Sequence, residues 1–155
     1  MKLHLLQSKL KLNNLIMAYI SQETKKQIAT ELKREFPRKA GWKFSLRLRH
    51  YRSLSVTILE APMDLLEDVN KNDKNNNPWE YVEIRYSTPG KYTDIYRKML
   101  AIIDGDFEGS VTKNYNNSDI MTDYFDVGWY SRLSIGDYER PFIDNSSFAR
   151  KMELF

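Results

Sequence analysis

The chain has 155 residues, enough for one domain that buries roughly two thirds of its unfolded surface without covalent staples. Its 41% hydrophobic and 29% charged residues suit a folded protein, and the lack of cysteine excludes disulfides, thiolate metal sites and cysteine nucleophiles. The net charge of +3 hides an asymmetry: residues 1–60 carry 13 Lys and Arg against 4 Asp and Glu, whereas residues 61–155 carry 11 against 17. Either the first half forms a basic docking surface, or the two halves neutralise each other across the fold; wholesale acidic mimicry of DNA is excluded in both cases.

Residues 1–16 hold leucines at 3, 6 and 10 between lysines and read as an N-terminal arm or extension. Lys9 and Lys11 interrupt them before a secretory apolar region forms, and no apolar run has the length of a membrane span, so a cytoplasmic protein that avoids membranes is expected. Ser21 is a good N-cap, and Ile28, Leu32 and Phe36 recur at spacing four before Pro37, which predicts a helix over 22–36. In "WKFSLRLRHYRSLSVTILEAP", Phe44, Leu46 and Leu48 alternate with Lys43, Ser45, Arg47 and Arg49. After a turn at His50 to Arg52, Leu54, Val56 and Ile58 repeat the apolar face, giving an antiparallel hairpin with one wet, basic side.

A short helix is expected over 62–69, and "NKNDKNNNP" at 70–78 is an exposed loop. "WEYVEIRYS" predicts a third strand with Val82, Ile84 and Tyr86 on one face. Thr88 is placed to cap a second helix with Pro89 in its first turn; Tyr92, Ile95, Tyr96, Met99, Leu100 and Ile103 mark its buried stripe, and Gly105 suits its stop. In the last strand Phe125, Val127, Trp129, Leu133 and Ile135 should face inward, with Tyr124, Asp126, Gly128, Tyr130 and Arg132 outward. Gly128 in mid-strand signals a bulge or a close neighbour. The elements sum to a single α+β domain over 1–155: a core at 18–136, a mainly antiparallel sheet of about four strands with two main helices on one face, and a C-terminal tail at 137–155.

Little of this assembles into a catalytic pattern. Only His4 and His50 are present, too few for a histidine-rich zinc site, and neither a nucleophile elbow nor a phosphate-cradling glycine loop occurs. Asp119, Asp123 and Asp126 lie close enough in sequence to hold magnesium with phosphates, but their position at a strand entrance favours turn, cap and cross-strand roles. The run from Asp68 fails as a calcium loop, because Asp73 stands where glycine is required and Trp79 where glutamate is. The outer sheet face holds more promise. Arg47, Arg49, Tyr130, Arg132 and Asp126 would interleave cations and aromatics as single-strand binders do, or Asp126 would pair with Arg47 or Arg49 within the sheet.

The segments "AYISQETKK" at 18–26, "LRLRHYRSLSVTI" at 46–58 and above all "NYNNSDIMTDYFDVGWYSRLSIG" at 114–136 resemble one of the large polyvalent protein-associated domains of phages, plasmids and conjugative elements. That resemblance covers residues 18–136 and carries no catalytic residue with it. It implies a mobile-element protein in a bacterial cytoplasm; from the residues themselves, neither a cofactor nor a metal is expected. The expectation is a non-enzymatic inhibitor that binds a bacterial defence protein or ribonucleoprotein complex, such as a CRISPR effector. Its partner-binding surface would comprise Arg47, Arg49, Tyr130 and Arg132, joined by Asn117, Asp119, Asp123 and Asp126. The alternatives are a nucleic-acid-binding accessory protein and a metal-dependent nuclease or modifying enzyme; self-association into a homodimer is a further expectation.

Overall fold

The computed structural model describes residues 19–75, 78–116 and 128–147. The N-terminal arm, the strand entrance from Asn117 to Val127 and the last residues of the tail lie outside that set.

Helix α1, Gln22–Glu35, begins where the sequence predicts: the Thr24 amide donates to Ser21 Oγ at 3.1 Å, satisfying one of the amides a helix start leaves open. Glu23 in the first turn and Lys33 and Arg34 in the last complement the helix dipole. Ile28 and Leu32 are buried, and the helix stops at Phe36, whose ring meets Trp42 edge-on at 5.0 Å. A single 3-10 turn, Arg38–Ala40, leads to strand β1, Lys43–Arg49, which pairs antiparallel with β2, Ser53–Ala61. The connecting turn places both His50 and Tyr51 at φ 53°, a hairpin turn with positive φ at both central positions but glycine at neither.

Helix α2, Leu65–Lys71, is capped by Asp64, which accepts the Glu67 amide at 3.1 Å. Strand β3 is only Val82–Ile84, and Tyr86 is exposed, not inward as the alternation suggests. The reason is local. The Arg85 amide donates to Thr88 Oγ1 at 2.8 Å and the Thr88 amide to Arg85 O at 3.1 Å, so Thr88 closes a turn and does not cap a helix. Helix α3 accordingly starts later, at Thr93–Ile103, and its entry is pinned to α2 by the Lys91 amide donating to Asp68 Oδ2 at 2.9 Å. Tyr96, Met99, Leu100 and Ile103 form its buried stripe, and Gly105 at φ 71° ends it as expected.

Strand β4, Tyr130–Ile135, then runs parallel to β2 and antiparallel to β3, giving the order β1-β2-β4-β3. A short strand β5, Ile143–Asp144, pairs with β2 beyond the end of β4, and Asn145 bonds Gly41 O and Glu60 Oε1. Within the stretch expected as a tail, Ile143–Asp144 thus adds a short strand to the sheet.

The α+β class holds, with about the expected number of strands, but the sheet is mixed. Two antiparallel ladders flank a parallel centre because the chain travels through α2, β3 and α3 before returning beside β2, the long crossover that parallel neighbours require. Leu54, Val56 and Ile58 of β2, Leu133 and Ile135 of β4 and Ile84 of β3 share one cluster with the stripes of α1 and α3. Each fully buried Leu or Ile there contributes about 1.5–3 kcal/mol. No described helix is long and apolar enough to cross a membrane.

Candidate binding face

The opposite side of the sheet is built by the alternate residues of the same strands. Register makes the arrangement explicit: Ser55 lies between Arg47 of β1 and Arg132 of β4, Ser53 between Arg49 and Tyr130, and Thr57 between Ser45 and Ser134. One row thus reads cation, hydroxyl, cation, the next cation, hydroxyl, aromatic, and the third is hydroxyl throughout, all three centred on a small side chain of β2. Facing Cα positions two strands apart are separated by about 10 Å, and Arg47 and Arg49 follow each other by about 7 Å along β1.

A trough of about 760 Å³ opens on this face, and the described residues that line it all belong to strands and loops. Its floor is Ser55, Thr57 and Ser134; its walls are the segment carrying Trp79 and Tyr81 on the β3 side and the 136–140 loop. At the hairpin end a second hollow of about 550 Å³, lined by Arg49, His50, Arg52, Ser53 and Tyr130, continues it.

Both walls are held by their own hydrogen bonds. The Asn70 side chain exchanges bonds with the Trp79 backbone at 2.9 and 3.0 Å, and Trp79 Nε1 donates to Asp73 Oδ2 at 2.8 Å, so the indole is fixed while 47% exposed. On the other side Asp137 Oδ1 accepts the Glu139 and Arg140 amides at 3.0 and 2.7 Å, while Arg140 Nε and Nη2 donate to Oδ2 at 3.1 and 2.6 Å. That fork of Arg140 bonds holds the Asp137 carboxyl below its ordinary range. The loop it stiffens carries Tyr138 at its tip, 79% exposed.

Among the described residues the trough is electrostatically positive, with five arginines against three carboxylates. Asp137 is committed to Arg140; Glu83 is shared between Arg85 at 3.6 Å and Arg132 at 3.5 Å; Glu139 stands 3.9 Å from Arg47. Arg49 has no carboxylate within ion-pair distance among the described residues. Such long pairs between half-exposed side chains contribute little to stability and exchange readily for another anion. Between described residues, Arg47 to Glu139 is also the only ion pair joining a cation of the first half to a carboxylate of the second, so cross-fold neutralisation is sparse.

Of the sequence-nominated residues, the fold brings Arg47, Arg49, Tyr130 and Arg132 onto one face. Asn117, Asp119, Asp123 and Asp126 lie outside the described residues, so neither the loop half of the nominated surface nor a magnesium role for the aspartates has a geometry here. The carboxylates seen beside Arg47 and Arg132 are Glu139 and Glu83. Among the described residues no three His, Asp or Glu side chains converge to hold a metal ion. Sequence reasoning missed Trp79, Tyr81 and Tyr138, because the walls come from loops distant in sequence. The alternating small hydroxyls Ser53, Ser55 and Thr57 were a legible sign of a shallow floor.

Gly128 has a structural explanation. A Cβ there would stand 2.6 Å from Asn114 Oδ1 and 3.3 Å from the Tyr115 ring, so the glycine admits a close neighbour, as its place in the pattern suggested. Asn114 is the clamp at this point: its Oδ1 accepts the Trp129 amide at 2.9 Å, and its Nδ2 donates to Trp129 O at 3.0 Å and to Asp104 Oδ1 at 2.9 Å.

Comparison of the chain with protein-family models, curated proteins and solved structures gives no match.

Proposed function

We propose that the protein is a non-enzymatic binding module of a mobile genetic element that docks on a bacterial defence complex, such as a CRISPR effector, through the sheet face that the described helices leave open. The observation supporting this reading is the convergence of Arg47, Arg49, Arg132 and Tyr130 on one solvent-open face with rigid aromatic walls. Preorganised aromatics and arginines are the residues that concentrate binding energy at interfaces, since they bring large contact area at small ordering cost. The mobile-element setting comes from the resemblance at 18–136, and a small inhibitor of a nucleoprotein complex needs only such a surface. The bacterial cytoplasm is the compartment this role requires.

The test is survival of a target plasmid in bacteria carrying one of a panel of CRISPR effectors, with the protein co-expressed. Rescue against at least one effector is expected, and the variant R47E/R132E should lose rescue while its circular dichroism and thermal midpoint stay those of the parent. Rescue by no effector, or undiminished rescue by the folded variant, contradicts the proposal.

A further inference from the structure

We propose that the trough holds single-stranded nucleic acid, with phosphates on Arg47, Arg49 and Arg132, sugar or phosphate oxygens on the hydroxyl floor, and bases against Trp79, Tyr81 and Tyr138. It rests on the reading of this face as the docking surface and names the chemistry of what that surface meets.

Three features select this occupant. First, the floor is made of Ser55, Thr57 and Ser134, short side chains whose hydroxyls donate to or accept from a sugar-phosphate chain and leave the backbone of the sheet close to the ligand. Second, the arginines stand in rows about 7 Å apart along β1 and about 10 Å apart across the trough, so several phosphates of one extended strand can be met at once. Third, the aromatic walls are fixed before any ligand arrives: Trp79 by Asn70 and Asp73, and the Tyr138 loop by the Asp137 to Arg140 fork. Stacking platforms beside a cationic track are how proteins hold single strands without reading sequence.

The carboxylates of the trough fit the same account. Glu139 and Glu83 stand at 3.9 and 3.5 Å from Arg47 and Arg132, loose exposed pairs that an incoming phosphate displaces. They make the site weaker than its arginine count alone would allow. An acidic protein segment could use the arginines, but it would leave the three aromatic faces without stacking partners.

Fluorescence anisotropy with short labelled oligo-dT and oligo-U, a duplex of equal length and labelled poly-glutamate tests the assignment. Single strands should bind at low salt, with affinity falling as the salt concentration to a power of about −2, the value for three phosphates on a single strand. R47E/R132E and W79A should each weaken binding by about tenfold or more. E139Q should tighten it, a gain that damage to folding would not produce. No complex with either single strand at low salt, tighter binding of the duplex, or preference for poly-glutamate would overturn the assignment, as would unchanged affinity in both R47E/R132E and W79A. Plasmid rescue that persists without oligonucleotide binding would remove this occupant and leave the docking face standing; loss of both would remove the two readings together.

Discussion

Tyr96 shows at the level of one atom what the fold tolerates. Its ring is 1% exposed in the stripe of α3 and its hydroxyl has no hydrogen-bond partner among the described residues, while burial pushes its ionisation well above the ordinary tyrosine value. A buried hydroxyl that is left unpaired costs about 1–3 kcal/mol. Tyr96→Phe should therefore raise stability by about 1 kcal/mol in urea denaturation, and a loss of stability would show that the hydroxyl is paired in solution. Gly128→Ala works in the opposite direction. Its Cβ would press on the Asn114 amide, which is itself bound on both sides, so a destabilisation of about 1–3 kcal/mol is expected. Both changes lie away from the trough floor and should leave binding intact once the protein is folded.

Among elements, the β1–β2 hairpin is the most constrained. His50 and Tyr51 both take φ 53°, where non-glycine residues are strained, and the turn is held by the Ile20 amide on Tyr51 O at 2.7 Å and the Tyr130 amide on Arg52 O at 2.9 Å. Replacing the pair, H50N/Y51G, should stabilise the fold by about 1 kcal/mol despite the lost stacking of Tyr51 on Tyr19, read as a higher denaturation midpoint. The 136–140 loop gives the pH dependence. Because Asp137 titrates below its unfolded value, its contribution is fully present above that value and is lost as pH falls through the lower folded one. The stability difference between the parent and D137N should be constant near neutrality and close below about pH 4; a difference that persists in strong acid would contradict the Arg140 fork as its cause.

Elements also differ in how openly the sequence declares them. Helix α1 and the hairpin were legible because cap, period and proline stop agree on the same boundaries. The entry to α3 was not, since Thr88 offers the same hydroxyl to a turn as to a cap and only the contact of Asp68 with the Lys91 amide decides between them. Nor could alternation reveal the parallel centre of the sheet. A strand of period two reads identically whichever way its neighbour runs.

At the scale of the molecule, burial of one sheet face under α1 and α3 leaves the other, among the described residues, as the broad surface on which basic and aromatic residues collect. The arginines of the candidate site were legible because they alternate with core leucines in β1, and a core face implies an opposite one. Its aromatic walls were not, because tertiary folding alone brings residue 79 and residue 138 to the same trough. The charge asymmetry along the chain does not map onto this division, since Arg85, Arg132 and Arg140 of the second half join Arg47 and Arg49 in lining the trough, while Lys25, Lys26, Lys33 and Arg34 lie on α1.

The proposed docking places the partner on this face and not on the helical one. Amide hydrogen exchange of the protein, free and mixed with an effector against which it gives plasmid rescue, distinguishes the two faces. Slowed exchange is expected along β1 and β4 and in the segments at 79–85 and 136–140, with α1 and α3 unchanged; protection confined to the two helices would rule out docking on the sheet face.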